Sequence, residues 1–358
     1  MRLLRTTVMA GAAIVFAAAA LAFRPPAGPL DPGAADRPPI PGTETSLARV
    51  VLETDPRALD LIVGPVTIPP HTEGMLIPVQ LVQIPVDAWV HGFAWTMHDH
   101  EGRLLSPDLL HHVNLIDPDR RELFGATARR VLAAGRETSG FTMPPVLAYP
   151  FARDTRLLVA AMFSNPTSET ITNAELRVRL RYSPRPRRGP EPLAVFPFHL
   201  DVMGPVGSKS FPVPPGRTVQ SWEGAPATDV RVLAMGGHMH DHARLLRLED
   251  VTTGAELWRA EPIEVDGRVV GVPRASPWRR GGLKLRRDHV YRVTIEYYNP
   301  TPVATEHGGM GLVAGVSVAR AEWPGVDRDH PEYTSDLASL IAAPHAAGAG
   351  HGHGGHQH

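Results

Sequence analysis

The 358-residue chain contains no cysteine. Disulfides and thiolate ligands are therefore excluded, so the fold must rest on packing, and any metal must be held by imidazole, thioether or carboxylate. Lysine is almost missing as well, with Lys209 and Lys284 the only two, and arginine carries nearly all the positive charge. The formal net charge is −1. There is no basic excess to displace counterions from a nucleic acid, which excludes nucleic acid as an expected partner. Long apolar runs are lacking except near the N-terminus, where Val8 to Phe23 follows Arg2 and Arg5. That run is short for a spanning helix, and Ala20-Leu21-Ala22 supplies small residues for cleavage. Residues 1–22 are expected to be a secretory signal peptide, or a membrane anchor if cleavage does not occur. In both cases the domains lie outside the cytoplasm: periplasmic, extracellular or membrane-anchored.

What the chain has in quantity is turn formers, with 33 glycines and 37 prolines, which suits short strands better than a helical bundle. Residues 23–45, rich in Pro, Gly and Ala, form an expected linker. From Ser46 onward the periodicity is that of strands. EGMLIPVQLVQI (73–84) is an apolar run, and ELRVRLRY (175–182) places Leu176, Val178, Leu180 and Tyr182 on one face and three arginines on the other. HVYRVTIEYY (289–298) alternates likewise through Tyr291, Val293, Ile295 and Tyr297. SPRPRRGPEP (183–192) cannot be a central strand, because proline lacks the ladder donor. These patterns predict an all-β protein of two antiparallel β-sandwich domains, 46–192 and 193–325. A hairpin is expected to turn near Thr253-Gly254. Helices are expected at 117–135 and 335–343, the latter followed by a disordered tail (326–358 overall) carrying five histidines, 345, 351, 353, 356 and 358.

Three constellations could carry chemistry. In GGHMHDHARLL (236–246), His238 and His240 stand two residues apart. On a helix they would diverge, but on a strand they share a face and can meet one ion. The alternative is a solvated polar strand end, and for His242 solvation is the favoured expectation. In PDLLHHVNL (107–115), His111 and His112 are adjacent. Neighbours on a regular strand point opposite ways, so both reach one metal only at a strand end or a bulge. Otherwise one is buried and the other exposed. His98 and His100 in WTMHDH (95–100) are expected as loop histidines. In TEHGGMGLVAGV (305–316), Met310 opens an apolar strand. Most methionines fill cores, yet a thioether added to imidazoles makes a copper-type ligand set, Cu(I) in particular.

The order of these motifs, an adjacent His-His, then His-X-His, then a methionine entering a late strand, resembles the copper type II, ascorbate-dependent monooxygenases. That family includes peptidylglycine α-hydroxylating monooxygenase and dopamine β-monooxygenase. The resemblance spans about residues 70–320 and extends to DAWVHGF (87–93), PFHLDV (197–202), PPGRTV (214–219) and RVLAMGGHMHDHARLL (231–246). It implies two jelly-roll-like sandwiches side by side and two copper ions. His111 and His112 would be ligands of an electron-storing copper. His238, His240 and Met310 would form the copper site of oxygen activation and thus the catalytic set. The third ligand of the first site aligns with Met162, in LLVAAMFSN (157–165), which also reads as strand core. The implied reaction is hydroxylation by O2 with electrons from ascorbate or another reductant.

The departures matter equally. The amidating branch has an arginine where Gly236 stands, and an asparagine and a tyrosine where Leu312 and Ala314 stand. Peptide amidation is therefore not expected, and a small uncharged substrate is. Two further possibilities remain open: a non-catalytic copper-binding or copper-handling protein of the same fold, and a metal-free structural β-sandwich module. The histidine tail could capture copper or zinc weakly, or be idle.

Overall fold

The structure is a computed structural model and describes residues 40–54, 57–136, 138, 140–184, 190–319 and 325–347. The expected leader (1–22), most of the linker, the middle of the proline-rich break and the side chains of the tail histidines lie outside the described residues. Among the described residues no helix is long and apolar enough to cross a membrane.

The fold is all-β. A seven-stranded sheet runs in the order Ala48–Thr54, Arg57–Ile68, Ile171–Pro184, Ala88–His98, Leu147–Phe151, Leu193–Ala194, with Phe141–Thr142 paired to Ala88–His98. The last pair is parallel, a departure from the antiparallel rule elsewhere in this sheet. A five-stranded sheet joins Thr72–Leu76, Arg156–Asn165, Leu110–Arg121 and Ala128–Gly135, with Gln80–Gln83 also on Arg156–Asn165. Residues 73–84 thus form two strands, interrupted by Pro78, whose ring removes a ladder donor. The predicted alternation holds in Ile171–Pro184: Leu176, Val178, Leu180 and Tyr182 are buried between the two sheets.

A second apolar cluster lies between two four-stranded sheets. One orders Phe196–Asp201, Gly311–Ala319, Val230–Met239 and Leu283–Leu285. The other orders Gly216–Gly224, Tyr291–Asn299, Ala243–Asp250 and Ala255–Ala260. Tyr291, Val293, Ile295 and Tyr297 all face this core. The expected hairpin is present, turning through Gly254 at φ +73°, a left-handed conformation that glycine adopts without a Cβ clash. The helix expected at 335–343 is longer, Pro331–Ala347. Its Tyr333, Leu337, Leu340 and Ile341 pack on Ile116, Leu158 and Ala160, the face of the five-stranded sheet turned away from the first core.

The helix expected at 117–135 does not form. The segment is the end of Leu110–Arg121, a tight turn, and Ala128–Gly135. Its apolar spacing mimicked a helical stripe because Leu123 and Phe124 at the hairpin tip are buried for a different reason. They insert into the second core, where Phe124 meets Tyr291 edge-on at 6.3 Å between centroids. Ala227 N–H donates to Leu123 O at 2.8 Å, and Gly125 turns the chain at φ +83°. The hairpin that flanks the first core thus plugs the second.

Charged groups are buried around this plug. Glu122 accepts from Arg130 N–H at 2.6 Å, and the Arg130 guanidinium forks onto Asp336 of the helix at 2.9 and 2.5 Å. The Arg129 guanidinium lies 5.6 Å over the Phe196 ring. Burial raises the Glu122 carboxyl to about 7, and those of Asp117 and Asp201 to about 6, against partial relief from nearby arginines. The sign follows from linkage. The folded chain keeps the Glu122 proton that the unfolded chain releases between about pH 4.5 and about 7, so this group's stabilisation is full at low pH and lost across that window. Stability by urea unfolding is expected to fall from about pH 5 to about pH 8, and Glu122→Gln to flatten that fall.

Candidate metal centres

His111 and His112 lie at the start of Leu110–Arg121, in its pairing with Arg156–Asn165. The register runs regularly to Met162 opposite His112 and then shifts, so that Phe163 faces Leu110. His111 is the residue passed over. A bulge of this kind places two consecutive side chains against one partner and re-aims the extra one, which removes the obstacle to adjacent histidines acting together. Their rings stand edge-to-face with centroids 5.1 Å apart. The His111 Nδ1 lies 3.0 Å from the Glu73 carbonyl, a contact that orients the ring and leaves Nε2 to point away from it.

Met162 belongs to the same face, because residues directly opposite in an antiparallel ladder project to the same side. It is half-buried, whereas its neighbours Ala161 and Phe163 face the core. A Cβ on Gly74 would come within 3.0 Å of the Met162 sulfur. The thioether therefore lies against the strand Thr72–Leu76, next to the carbonyl that engages His111.

The second constellation sits where another ladder ends. Val230–Met239 pairs with Gly311–Ala319 up to His238 opposite Leu312 and Met239 opposite Gly311. Continuing that register by one residue sets His240 opposite Met310. Met239 points into the core, and His238 and His240 share the other face, with ring centroids 4.9 Å apart and planes at 90°. Tyr297, from the facing sheet, closes the ladder end. Its Oη accepts the N–H groups of His240 and Met310, each at 3.0 Å, and donates to the Met310 carbonyl at 2.5 Å. Burial pushes the Tyr297 phenol up to about 12, so it remains a neutral donor at physiological pH.

The same sheet face carries further polar groups that the sequence did not single out. Across the ladder from His238 lie Leu312 and then Asp201. Asp201 is buried, and its Oδ2 approaches His199 Nε2 at 3.8 Å. Burial, then the Arg130 and Lys209 charges, hold His199 well below the usual imidazole range. On the other side, Met235 exchanges both backbone hydrogen bonds with Ala275, which brings Arg274 opposite Gly236. A Cβ on Gly236 would touch Arg274 Cγ at 3.5 Å. Position 236 itself offers no guanidinium, and Leu312 and Ala314 add no polar group. The arginine beside it comes from a segment without any sequence signal for the role. Tyr297 was legible only as a core residue, although a buried phenol requires a partner for its hydroxyl.

The other histidines behave differently. His98 ends its strand, with Nε2 at 2.7 Å from Thr96 Oγ1 and Nδ1 at 3.2 Å from Gly102 O. His100 lies in the following turn. At His242 the backbone turns left-handed, φ +71°, taking that side chain off the alternation.

Imidazole nitrogens about 2 Å from one ion place two ring centroids roughly 5–6 Å apart, so both pairs have a compatible spacing. Among the described residues, no three His, Cys, Asp or Glu side chains gather as a metal-binding group. A methionine stands across the ladder from His112, and another immediately precedes the strand opposite His238; imidazole with thioether is a donor set that suits copper.

No protein-family model matches the chain, and no curated protein matches it. Among solved structures, the atomic structure of Sulfolobus Turreted Icosahedral Virus overlaps 81% of this chain and 97% of its own at 10% identity, with a TM-score of 0.33. The infectious bursal disease virus VP2 subviral particle overlaps 82% and 76% at 9% identity, TM-score 0.20. The Sputnik virophage overlaps 86% and 93% at 8% identity, TM-score 0.21. Such scores fall short of a shared fold.

The packing of Met162 against Gly74 is testable without metal. In Gly74→Leu the added side chain must displace the thioether, so the Met162 methyl resonance in a 13C-methyl spectrum is expected to move. That of Met239, in the second core, is expected to stay.

Proposed function

We propose that the chain is an exported copper protein of two jelly-roll-like sandwiches side by side, related in architecture to the ascorbate-dependent copper monooxygenases. One copper would be held by His111, His112 and Met162, the other by His238, His240 and Met310. The observation that carries this is the register. A bulge at His111 and a ladder end at Met239 each put two imidazoles about 5 Å apart, with Met162 opposite His112 in the ladder and Met310 one residue past the pair Met239–Gly311. Bound copper would supply one-electron chemistry with O2, and ascorbate or another reductant would supply electrons. The chain's own part would be to orient the His111 ring through the Glu73 carbonyl, to fix the His240 and Met310 main chain through Tyr297, and to supply a thioether to each pair. The reaction would be hydroxylation of a small uncharged substrate, since Leu312 and Ala314 stand where the amidating branch has its asparagine and tyrosine, and the arginine beside Gly236, Arg274, comes from a different segment.

The same departures also favour a second reading, a copper-handling protein that binds the metal without hydroxylating anything. The two differ in turnover. A chain with its five tail histidines replaced by alanine is expected to retain copper at both centres by metal analysis; no uptake would remove both readings. In the enzyme, ascorbate-driven oxygen consumption is lost in Met310→Ala while His111 and His112 keep their copper. In the carrier, wild type and Met310→Ala consume oxygen equally little.

A further inference from the structure

The ladder between Val230–Met239 and Gly311–Ala319 stops one residue short of the two ligand candidates His240 and Met310. Past the end of a ladder, two strands lose the hydrogen bonds that fix their separation from each other; Gly309, just before Met310, is paired instead with Phe211. Here the next pair of backbone donors, His240 N–H and Met310 N–H, converge on one oxygen, the phenol of Tyr297, which in turn donates to Met310 O. That oxygen belongs to neither strand. It is delivered from the facing sheet by Tyr291–Asn299, on a side chain that is 1% exposed and packed edge-on against Phe211 at 5.7 Å. The facing sheet is pressed close at this point, since a Cβ on Gly311 would come within 2.8 Å of Ile295 Cβ. The phenol is therefore held by the core and does not follow the strands if they move.

We propose that Tyr297 is a positioning residue of the second centre. A single buried hydroxyl sets the distance between His240 and Met310, and so decides whether the thioether reaches the ion that the imidazoles hold. This rests on the copper assignment made above. His238 lies within the ladder and does not need the phenol. Loss of the hydroxyl should release Met310 before it releases the imidazoles. Outer partners that orient metal ligands are generally worth about 10–100-fold in affinity.

The test is Tyr297→Phe in the full chain with alanine at the tail histidines, loaded with Cu(I) in competition with a chromophoric chelator. The expected result is a 10–100-fold weaker second site and an unchanged first site. Expected too is a loss of sulfur from the Cu(I) X-ray absorption signal equal to that caused by Met310→Ala. A lower melting temperature with second-site affinity and sulfur signal intact would mean that the phenol is merely structural, and would overturn the proposal. Wild type that binds no Cu(I) at His238 and His240 overturns the copper assignment itself and this proposal with it, an outcome visible before any variant is made. Should Tyr297→Phe fail to fold, amide exchange in the wild type decides. Slow, concerted exchange of His240 and Met310 amides supports the proposal, and rapid exchange of either one overturns it.

Discussion

The insertion of Leu123 and Phe124 into the second core is the contact on which the rest of the molecule depends. Without cysteine, no covalent bridge can join the sheets around the two cores, and apolar burial at the hairpin tip takes that place. The hairpin that ends in this tip begins at His111 and His112. Its Phe124 touches Tyr291, on the strand that also carries Tyr297. One continuous strand therefore runs from the first candidate centre to the element that braces the second. The C-terminal helix is tied to the same hairpin through Arg130 and Asp336.

The ions buried around the plug come at a cost. Glu122 Oε2 and Asp201 Oδ2 are buried without a hydrogen bond, and desolvation raises both carboxyl pKa values. Buried charge is weak support for stability, whereas it strongly penalises arrangements that separate the partners. Such a cluster suits a junction that must form in one register.

The two centres solve one geometric problem in different ways. A strand sends successive side chains to opposite faces, so gathering ligands requires either positions two apart or a break in the ladder. His238 and His240 use the spacing, and in the proposed copper site Met310 would join them because the opposite strand begins one residue further on, at Gly311. His111 and His112 use a bulge, with Met162 supplied by the regular part of the same ladder. The histidine outside each ladder is braced differently: the Glu73 carbonyl contacts the His111 ring, and the Tyr297 phenol accepts the main-chain N–H of His240.

Much of this was legible in the residues. The period-two runs at 175–182 and 289–298 determined the buried faces, and the i, i+2 spacing of His238 and His240 determined that they share one. The adjacent histidines demanded a bulge or strand end, though not which. Residues 117–135 were misread as helix because burial of Leu123 and Phe124 against a distant sheet leaves the same imprint as a helical stripe. Arg274 and Tyr297 were invisible as neighbours of the second centre, because strand pairing and sheet packing bring them there from far along the chain. Sequence by itself determined which side chains alternate and which donor types are available, since both are local properties. Only the tertiary structure decided the register between strands, and with it which methionine stands across the ladder from His112 and which hydroxyl caps the ladder end at His240, because register is set by contacts between segments that the sequence does not place side by side.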